Sequence, residues 1–352
     1  MKEIIFVMPG MNGGGAERVI AQLASFLCRQ NKWKVTILLT EDETCVYPLE
    51  KEIEVIYIGS YMPNPFEQID FIHKQIKQRP EAIVVSFLDN QNIFTAIALQ
   101  GLGKHHFIVS ERNDPSQVKR FRRFLKNFFY RFADDIVFQT EDAKAFYPVY
   151  LREKGSIIMN PLKNDLPVCD YGTTAQEKRF VAFSRLTSQK NIPMMLRAFQ
   201  KFHKKHPDYC LDIYGKGGEE EKLKELTREL ELTEWVHFMG FQQSIHNEIL
   251  NAVAFLSSSN YEGMSNAMIE AMAIGLPVIC TDCPVGGAKM VIRDGVNGIL
   301  VPVNDAERMC RAMEKIVEEP EYAKRISMNG LELRDRLSIE KIVNEWLKVL
   351  VN

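Results

Sequence analysis

The stretch EIIFVMPGMNGGGAERVIAQLASFL at residues 3–27 sets a pattern that the whole chain repeats. A short run rich in Ile, Val and Phe is followed by a glycine cluster and then by apolar residues at the spacing of one helical face. The apolar run lacks strict alternation, which is typical of a strand in a parallel sheet that helices cover on both sides. The stretch therefore predicts one strand–loop–helix unit of a doubly wound sheet.

The same pattern continues in two series. Further strands are predicted at 34–39, 54–59, 82–88, 106–111 and 135–140, and in the second series at 179–184, 209–215, 235–240, 253–259, 277–281 and 298–303. Residues 160–178 contain two prolines and many polar residues without a long periodic run, so this segment is interpreted as a linker. The fold class predicted is α/β, with two doubly wound parallel-sheet (Rossmann-like) domains facing a cleft.

The domain boundaries follow from these series. We predict an N-terminal domain at 1–165 and a C-terminal domain at 166–331. A helical pattern at 332–352, which contains Trp346, is predicted to pack back on the first domain. Ligands of such sheets bind at the carboxyl ends of the strands, so the loops after the strands are the candidate sites.

Composition excludes several classes of protein. The 352 residues carry 44 basic and 46 acidic side chains, and the resulting net charge of −2 argues against a general nucleic-acid binder. No apolar run approaches the ~18–20 residues that span a bilayer, and the first residues do not resemble a secretory signal. We therefore expect a cytoplasmic protein whose seven cysteines are free thiols. The C-x-x-C at Cys280 and Cys283 has no second pair to complete a zinc site, and a strand end is favoured over a redox motif.

The first loop, GMNGGGAER at 10–18, joins a strand to a helix. Its glycines, Gly14 and Gly15 among them, allow close backbone approach to a ligand, and the helix start favours an anion. The loop matches neither the dinucleotide fingerprint nor the Walker motif. It predicts contact with a phosphate or a sugar, with a plain tight turn as the alternative.

Two loops of the second series carry related features. Arg185 and Lys190 follow the strand at 179–184, where two cations could hold a diphosphate or could simply be solvated. Gly215 and Gly217 link the next strand to a helix whose first turn is acidic, and a flexible turn is the alternative.

The fourth loop reads SSSNYEGMSNAMIEAMAIGLPV at 257–278. Ser265 is a plausible N-cap, which places Glu262 before the helix and Glu270 within it. A carboxylate beside a helix start can hold the hydroxyls of a ribose or sugar. Because Glu270 lies in an otherwise apolar stretch, the alternative is a core carboxylate paired with a basic neighbour.

Together and in this order, these motifs resemble glycosyltransferase family 4, which has the GT-B fold, over essentially the whole chain. The most specific part is E-x7-E from Glu262 to Glu270. It is accompanied by R-L-x-x-x-K-N at Arg185, by G-x-G-G at Gly215 and by G-G-A-E-R at Gly14. The segments PVICTDCPVGG (277–287) and DGVNGILV (294–301) also look like the family.

The resemblance implies transfer of a sugar from a nucleotide-sugar to an acceptor hydroxyl, with retention of anomeric configuration and without an obligate metal. Arg185 and Lys190 would neutralise the leaving diphosphate, where negative charge grows in an oxocarbenium-like transition state. The resemblance implies that the domain at 1–165 lies on the acceptor side and that the domain at 166–331 binds the nucleotide-sugar. Glu262 would hold the hydroxyls of the donor sugar and Glu270 those of the ribose. The implied catalytic residues are Arg185, Lys190 and Glu262, and the implied donor-binding residues are Gly14, Gly15, Arg112, Gly215, Gly217, Phe241, Gly263, Met264, Ser265 and Glu270.

One position departs from the family. Many members have a histidine near the sugar after the strand at 106–110, whereas this chain has Arg112. Arginine cannot act as a general base at neutral pH, but it could donate hydrogen bonds to the sugar or to an acceptor phosphate. In the front-face mechanism commonly proposed for retaining transferases, the leaving phosphate takes the acceptor proton, and no protein base is required.

The resemblance also bears on the substrates. We expect a UDP-linked hexose or N-acetylhexosamine as donor, and as acceptor a glycan or a polyprenyl-diphosphate-linked glycan of cell-surface polysaccharide synthesis. The alternatives are a nucleotide-sugar epimerase of the same fold and a non-catalytic subunit that binds nucleotide-sugar. A dehydrogenase would share the fold class but lacks its fingerprint.

Residues 119–132, KRFRRFLKNFFYRF, contain six cations and no acid. One helical face carries Phe121, Phe124, Leu125, Phe128 and Phe132. Two interpretations are open. The aromatic residues could face the core while the charges are solvated, or the helix could lie against an anionic membrane, on its cytoplasmic face. The second interpretation would bring the enzyme to a membrane-bound acceptor.

Overall fold

The computed structural model describes residues 1–59, 63–172, 176–242 and 244–351. The chain divides into two compact units, one formed by Met1–Pro161 with Ile339–Asn352 and the other by Leu162–Ser338. The predicted boundary after 165 lies four residues after the observed one at Pro161, and the predicted boundary after 331 lies seven residues before the observed one at Ser338. Among the described residues, no helix combines the length and the hydropathy needed to span a bilayer.

Each unit is built on a parallel sheet. The first sheet has seven strands in the order β3-β2-β1-β4-β5-β6-β7, and the second has six in the order β10-β9-β8-β11-β12-β13. Among the described residues the strands are β1 Lys2–Met8, β2 Trp33–Leu39, β3 Glu54–Tyr57, β4 Ile83–Phe87, β5 Phe107–Ser110, β6 Asp135–Phe138, β7 Gly155–Ile157, β8 Glu177–Phe183, β9 Cys210–Tyr214, β10 Val236–Gly240, β11 Ala252–Ser257, β12 Val278–Asp282 and β13 Ile299–Pro302. The α/β fold class predicted from the apolar runs is confirmed, and β7 is the strand that the sequence analysis missed.

Helices follow most of the strands, as the alternating pattern predicted. Among the described residues they are α1 Gly15–Arg29, α2 Pro65–Lys77, α3 Asp89–Ala98, α4 Arg120–Tyr130, α5 Glu141–Ala145, α6 Val149–Arg152, α7 Ile192–His203, α8 Glu220–Glu229, α9 Asn266–Ala273, α10 Gly287–Val291, α11 Ala306–Glu318, α12 Pro320–Gly330, α13 Leu333–Arg336 and α14 Ile339–Leu350. Most of these helices cover the sheets with their apolar faces, so the central strands are buried on both sides.

The sheet order decides which loops are neighbours. In the second sheet β8 lies between β9 and β11, and all three strands run parallel. The loops that leave their carboxyl ends therefore meet at one edge. In the first sheet β1 lies between β2 and β4, with β5 next to β4, so the loops after β1, β4 and β5 share an edge in the same way.

The proline-rich segment after residue 160 is more ordered than a free linker. Its backbone forms hydrogen bonds with the second unit, from Leu162 N–H to Leu337 C=O (2.9 Å) and from Cys169 N–H to Ile274 C=O (2.7 Å). Cys169 and Tyr171 are buried in the core of that unit. Polar composition and two prolines predict a linker, but Cys169 and Tyr171 anchor the segment to the core of the second unit.

The last helix, α14, completes the first unit. Trp346 is fully buried, and its ring stacks on that of Phe87 at the end of β4, with ring centroids 5.8 Å apart. Helix α14 also contacts α1. This part of the core is therefore formed by residues from opposite ends of the sequence.

Candidate functional site

The loop after β8 is held by a network of amides. The chain leaves β8, passes Arg185 and forms a short 3₁₀ helix at Ser188–Lys190. Asn191 follows with φ +44°, in the left-handed region that asparagine tolerates better than most residues. Its side-chain amide donates to Oδ1 of Asn260 and to Oδ1 of Asn304, each at 2.8 Å. These bonds fix the direction in which Lys190 leaves the loop.

Lys190 forms an ion pair with Glu262. Its Nζ contacts Oε2 of Glu262, and the two side chains are only 13% and 21% exposed. Ser259 Oγ donates to the same Oε2 atom at 3.3 Å, while Ser258 Oγ donates to the carbonyl oxygen of Lys190 at 2.8 Å. The structure thus brings together two of the predicted residues, and the loop after β11 supplies both the acid and the hydroxyls around it.

Lys190 lies in a small hollow at the carboxyl ends of β8 and β11. Polar and apolar side chains line it together, including Phe183, Lys190, Ser258, Ser259, Ser265 and Ala267. Ser265 is the N-cap of α9, since its Oγ accepts a hydrogen bond from Met268 N–H at 3.4 Å. A cation, several hydroxyls and the amino end of a helix therefore meet in one place, which is an arrangement suited to an anion.

Glu270 is buried beside this hollow, with 4% of its surface exposed. Its Oε2 is 2.8 Å from Nε2 of His246, a residue that the sequence analysis did not single out. The ring of His246 is 6.2 Å from that of Phe183, which lines the hollow. Glu270 therefore has a basic neighbour, as the alternative expected, and its contact with a ribose stays a prediction. No local motif marks His246, because the sheet brings it to Glu270 from another loop.

The glycines of G-x-G-G have a structural reason. Gly215 has φ +136°, and a Cβ atom there would lie 1.8 Å from the carbonyl oxygen of Ser184. A Cβ atom at Gly217 would lie 2.2 Å from the carbonyl oxygen of Leu186. The loops after β8 and β9 therefore approach each other too closely for any side chain. Contact of these glycines with a nucleotide base stays a prediction, as does that of Phe241, whose ring is 70% exposed.

A second close approach supports the turn before α9. A Cβ atom at Gly287 would lie 1.7 Å from the carbonyl oxygen of Gly263. Met264 and Ser265, which follow, are buried, with exposures of 5% and 8%. The glycine pair of PVGG thus lets the chain after β12 support the turn that carries Glu262 and Ser265.

Arg185 is placed differently from Lys190. Arg185 is exposed to solvent, whereas Lys190 is partly buried. Among the hydrogen bonds and ion pairs of the described ranges, none joins its side chain to Lys190 or Glu262. The shared loop places Arg185 five residues before Lys190, but its part in the site stays a prediction.

The C-x-x-C pair lies next to the site without the properties of a reactive thiol. Cys280 and Cys283 are free and buried. Burial raises the pKa of Cys280 to about 12 and that of Cys283 to about 11, and for Cys283 the charge of Glu262 adds to the rise. Both thiols are therefore protonated at neutral pH, in agreement with a buried strand end.

One other group on the second unit could offer metal ligands. Within the described residues, Cys210, Asp212 and His237 bring one ligand atom each to within 4.8 Å of one another. The carboxylate of Asp212 is already bound by Arg179 Nη1 at 3.0 Å and by His237 Nδ1 at 2.7 Å. A guanidinium at this distance opposes the binding of a further cation.

Arg112, on the first unit, is held by polar and aromatic contacts. Its Nε donates to Ser110 Oγ (2.8 Å) and its Nη1 to Asn160 Oδ1 (2.9 Å). The guanidinium lies over the rings of Phe87 and Trp346, 5.0 and 5.8 Å from their centroids. Burial lowers the pKa of Arg112 to about 9, against the opposing charge of Glu111, so the side chain remains cationic at neutral pH.

The remaining nitrogen of Arg112, Nη2, is buried and has no hydrogen-bond partner among the described residues. A buried donor without a partner is costly, so a hydrogen bond from Nη2 to a ligand would remove this cost. Contact of Arg112 with the sugar or with an acceptor phosphate stays a prediction.

The glycine loop after β1 is occupied by its own helix. Gly13 N–H and Gly14 N–H both donate to Oε2 of Glu17 at 2.6 Å. This is the backbone half of a capping box, which the glutamate three residues after the cap could have signalled. Ligand contact at Gly14 and Gly15 stays a prediction, and a ligand that used these N–H groups would have to displace Glu17.

The sequence analysis missed a buried charged cluster at the carboxyl end of β5. Lys126 and Glu111 are each 1% exposed. Lys126 Nζ lies 2.7 Å from Glu111 Oε2 and 2.9 Å from Asp89 Oδ1. Tyr130 and Tyr147 donate their hydroxyls to the same Glu111 oxygen. The cluster connects α4 to the loop that carries Arg112.

Burial and charge act against each other in this cluster. Burial raises the pKa of Glu111, but the charge of Lys126 and the hydrogen bonds lower the pKa by more than burial raises it. The net shift of this pKa is therefore downward. Burial lowers the pKa of Lys126, but Glu111 and Asp89 raise it more. The pKa of Asp89 is raised, first by burial and then by Glu111.

Comparison with known proteins finds glycosyltransferases. Residues 170–333 match the family model described as "Glycosyl transferases group 1". An uncharacterized glycosyltransferase of Haemophilus influenzae is 27% identical over 99% of this chain and 100% of that protein.

A second relative comes from Campylobacter jejuni. It is named "GalNAc-alpha-(1->4)-GalNAc-alpha-(1->3)-diNAcBac-PP-undecaprenol alpha-1,4-N-acetyl-D-galactosaminyltransferase" and is 25% identical over 99% of this chain and 98% of that protein. Among solved structures, HepE of Anabaena in complex with UDP and glucose superposes with a TM-score of 0.85 at 17% identity, covering 99% of both chains. This likeness shows the GT-B fold. The second unit therefore matches the group 1 glycosyl transferase family model, and the whole chain has the GT-B fold.

Proposed function

We propose that this glycosyltransferase moves a hexose or N-acetylhexosamine from a UDP-sugar to a hydroxyl of a glycan or polyprenyl-diphosphate-linked glycan. The reaction proceeds with retention of anomeric configuration and serves cell-surface polysaccharide synthesis at the cytoplasmic face of the membrane. The Campylobacter relative, whose name contains an undecaprenol-linked acceptor and an N-acetylgalactosaminyl donor group, supports this acceptor class. The UDP complex of HepE supports the nucleotide.

The observation that carries the proposal is the meeting of Lys190, Glu262 and the amino end of α9 at one hollow. As the bond to the sugar breaks, negative charge develops on the departing β-phosphate. A fixed ammonium group and a helix start stabilise that charge more than they stabilise the ground state. A diphosphate would compete with Glu262 for Lys190 and would release the carboxylate to accept hydrogen bonds from the donor sugar.

The other residues receive roles that fit this position. We assign Glu270 to the ribose hydroxyls and the exposed Arg185 to the diphosphate, together with Lys190. The turn Gly263–Ser265 approaches the phosphates, and Gly215, Gly217 and Phe241 approach the base. On the first unit, we assign Gly14 and Gly15 to the diphosphate and the sugar of the donor, and Arg112 to the sugar or to an acceptor phosphate.

The proton of the acceptor hydroxyl is taken by the leaving phosphate in this proposal. Arg112 stands where many relatives have histidine, and it stays protonated at neutral pH. A mechanism without a protein base accommodates that substitution. The cationic side chains replace a divalent metal in neutralising the diphosphate, so turnover is expected to persist in the presence of a chelator.

The first experiment identifies the donor. The protein is screened by thermal shift and by donor hydrolysis against nucleotide-sugars that differ in base and in sugar, since a ligand that binds the native state raises the melting temperature. We expect UDP-hexoses or UDP-N-acetylhexosamines to stabilise the protein and to be turned over. Stabilisation without hydrolysis or transfer would favour the non-catalytic alternative, and interconversion of sugar epimers would favour the epimerase.

The second experiment tests Lys190. We expect Lys190→Ala to reduce kcat for the identified donor by about 10²–10³-fold, the range seen when one group that stabilises a developing oxyanion is removed. Lys204→Ala, an exposed lysine after α7, is the matched control and should behave as the parent. Parent-like turnover by Lys190→Ala would contradict the proposed site.

A further inference from the structure

Helix α4 presents three of its phenylalanines to solvent and its lysine to the core. Phe121, Phe124 and Phe128 are 74%, 64% and 42% exposed, and Phe132, just after the helix, is 42% exposed. On the opposite face Lys126 and Tyr130 are buried. The interpretation that this aromatic stripe faces the core is therefore wrong. An amphipathic helix ordinarily buries its apolar face, so the reversed orientation requires a cause.

The buried ion pairs of Lys126 provide that cause. Its ammonium group contacts both Glu111 and Asp89 at 2.7 and 2.9 Å. Rotation of α4 to bury the phenylalanines would remove Lys126 from these partners and leave two acids unpaired in the core. Because an uncompensated buried charge costs more than an exposed ring, the helix is locked with its aromatic face outward.

Cations surround the exposed rings. No acid occurs from residue 115 to residue 133. Arg120 and Arg131 are exposed on the same side of α4 as the phenylalanines. The guanidinium of Arg131 lies 5.6 Å from the ring centroid of Phe128 and 5.7 Å from that of Phe132. The helix thus combines apolar rings with positive charges at their edge.

The neighbouring helices α5 and α6 extend this surface. Phe146, Val149 and Tyr150 are 40%, 56% and 49% exposed. They are continuous with α4, since the guanidinium of Arg123 lies 4.4 Å from the ring centroid of Phe146 and Tyr150 donates to the carbonyl oxygen of Asn127. The surface that we call the α4 patch consists of these three residues, the exposed rings of Phe121, Phe124, Phe128 and Phe132, and the flanking Arg120 and Arg131.

We propose that the α4 patch docks on the surface of an anionic lipid bilayer, with its rings at the boundary between headgroups and acyl chains and its arginines at the lipid phosphates. Rings that sit at this boundary, with cations beside them, are the side chains that bilayer surfaces bind most readily. A second copy of the chain would bring like charges together, which disfavours self-association through this patch. The proposal rests on the proposed function in one respect, since a lipid-linked acceptor gives the docking its purpose.

Flotation with vesicles tests the docking directly. The full chain is mixed with vesicles of phosphatidylcholine alone or of phosphatidylcholine with phosphatidylglycerol, at low and at high salt. We expect the protein to float with the anionic vesicles at low salt, to float less at high salt because of screening, and to stay unbound with neutral vesicles. Failure to float with anionic vesicles at low salt would overturn the proposal.

Two substitutions separate the apolar and the electrostatic contributions. Phe124→Ser should weaken vesicle binding roughly ten-fold, whereas Phe66→Ser, at an 83% exposed ring on α2, should not change it. Arg120→Glu/Arg131→Glu should weaken binding by more than the roughly five-fold expected per cation removed. Lys51→Glu/Lys77→Glu, which changes the net charge equally, is its control. All four variants alter exposed positions and should keep the parental melting temperature.

A fluorescence measurement locates the patch in the bilayer. Phe124→Trp should shift its emission to the blue with anionic vesicles and be quenched by lipids brominated on the acyl chain, while Phe66→Trp should show neither effect. Parental binding by Phe124→Ser, or a change from dimer to monomer in that variant, would refute docking and indicate another occupant. Donor hydrolysis without vesicles is measured in parallel. Loss of vesicle binding in Phe124→Ser with unchanged hydrolysis supports docking. A parent that hydrolyses the donor but does not float overturns docking alone, and a parent that floats without hydrolysis counts against the proposed function alone.

Discussion

A lysine between four phenylalanines on one helix would ordinarily be the solvated residue, with the rings buried. In this protein Lys126 is fully buried and its neighbours Phe124 and Phe128 are exposed. The reason lies outside the helix, in Glu111 and Asp89, whose carboxylates form ion pairs with the ammonium group of Lys126. A single residue therefore sets the orientation of α4, and the charges that do so are far away in the sequence.

The first prediction concerns this pair. We expect Lys126→Met to reduce the free energy of unfolding by about 3–5 kcal/mol, because it leaves Glu111 buried without its cation. Denaturant unfolding measures the loss. Lys126→Met/Glu111→Gln should recover part of it, since the double variant removes both charges. A double variant as unstable as the sum of the two single variants would show that the ion pair is not what matters.

The second prediction concerns pH. The pKa of Glu111 is lowered in the folded protein from its ordinary value of 4.5. A lowered pKa means that the charged form stabilises the fold above pH 4.5 and that this contribution is lost as the pH falls through the folded value. Glu111→Gln should therefore be less stable than the parent at neutral pH, and the difference should shrink as the pH drops below 4.5. The free energies of unfolding of the two proteins across this range provide the check.

At the scale of elements, the third prediction uses two adjacent glycines of one loop. Gly217→Ala would place a Cβ atom 2.2 Å from the carbonyl oxygen of Leu186, so the loops after β8 and β9 must separate. We expect a clearly lower melting temperature and weaker binding of the donor. A Cβ atom at Gly218 meets nothing within 4 Å, and Gly218→Ala should leave both quantities close to those of the parent. Equal effects of the two substitutions would show that close backbone approach is not the reason for the glycines.

Most strands could be predicted from the sequence because they are apolar runs of ordinary length between glycine-rich loops. The strand β7, Gly155–Ile157, could not, since three residues at the edge of a sheet carry no periodicity. The segment after residue 160 was interpreted as a linker for the opposite reason. Its composition is polar, but buried residues such as Cys169 and Tyr171 attach it to the second unit.

The candidate site was predictable only in part. Lys190, Glu262 and Ser265 lie on loops that a parallel sheet must bring to one edge, so their convergence at one hollow could be anticipated. His246 could not, because its contact with Glu270 depends on how the loop after β10 folds over the sheet. The outward face of α4 also escaped prediction, since helical periodicity shows which residues share a face but not which way that face points.

At the scale of the whole molecule, the fourth prediction concerns the last helix. Trp346 is fully buried against Phe87, and Arg112 lies over both rings. We expect Trp346→Ala to cost about 3–5 kcal/mol of unfolding free energy through the cavity that it leaves. Trp346→Phe should cost much less, because the indole N–H has no hydrogen-bond partner among the described residues. Thermal and denaturant unfolding distinguish the two, and equal losses would contradict a packing role.

The return of α14 to the first unit has a consequence during synthesis. The ribosome must translate all of Leu162–Ser338 before the helix containing Trp346 exists. The second unit is contiguous in sequence and can reach its native state as soon as it emerges. The unit that is translated first cannot complete its core until Trp346 stacks on Phe87. The second unit is therefore expected to complete its folding before the first. A nascent chain stalled before Ile339 should contain a folded second unit and an incompletely folded first unit.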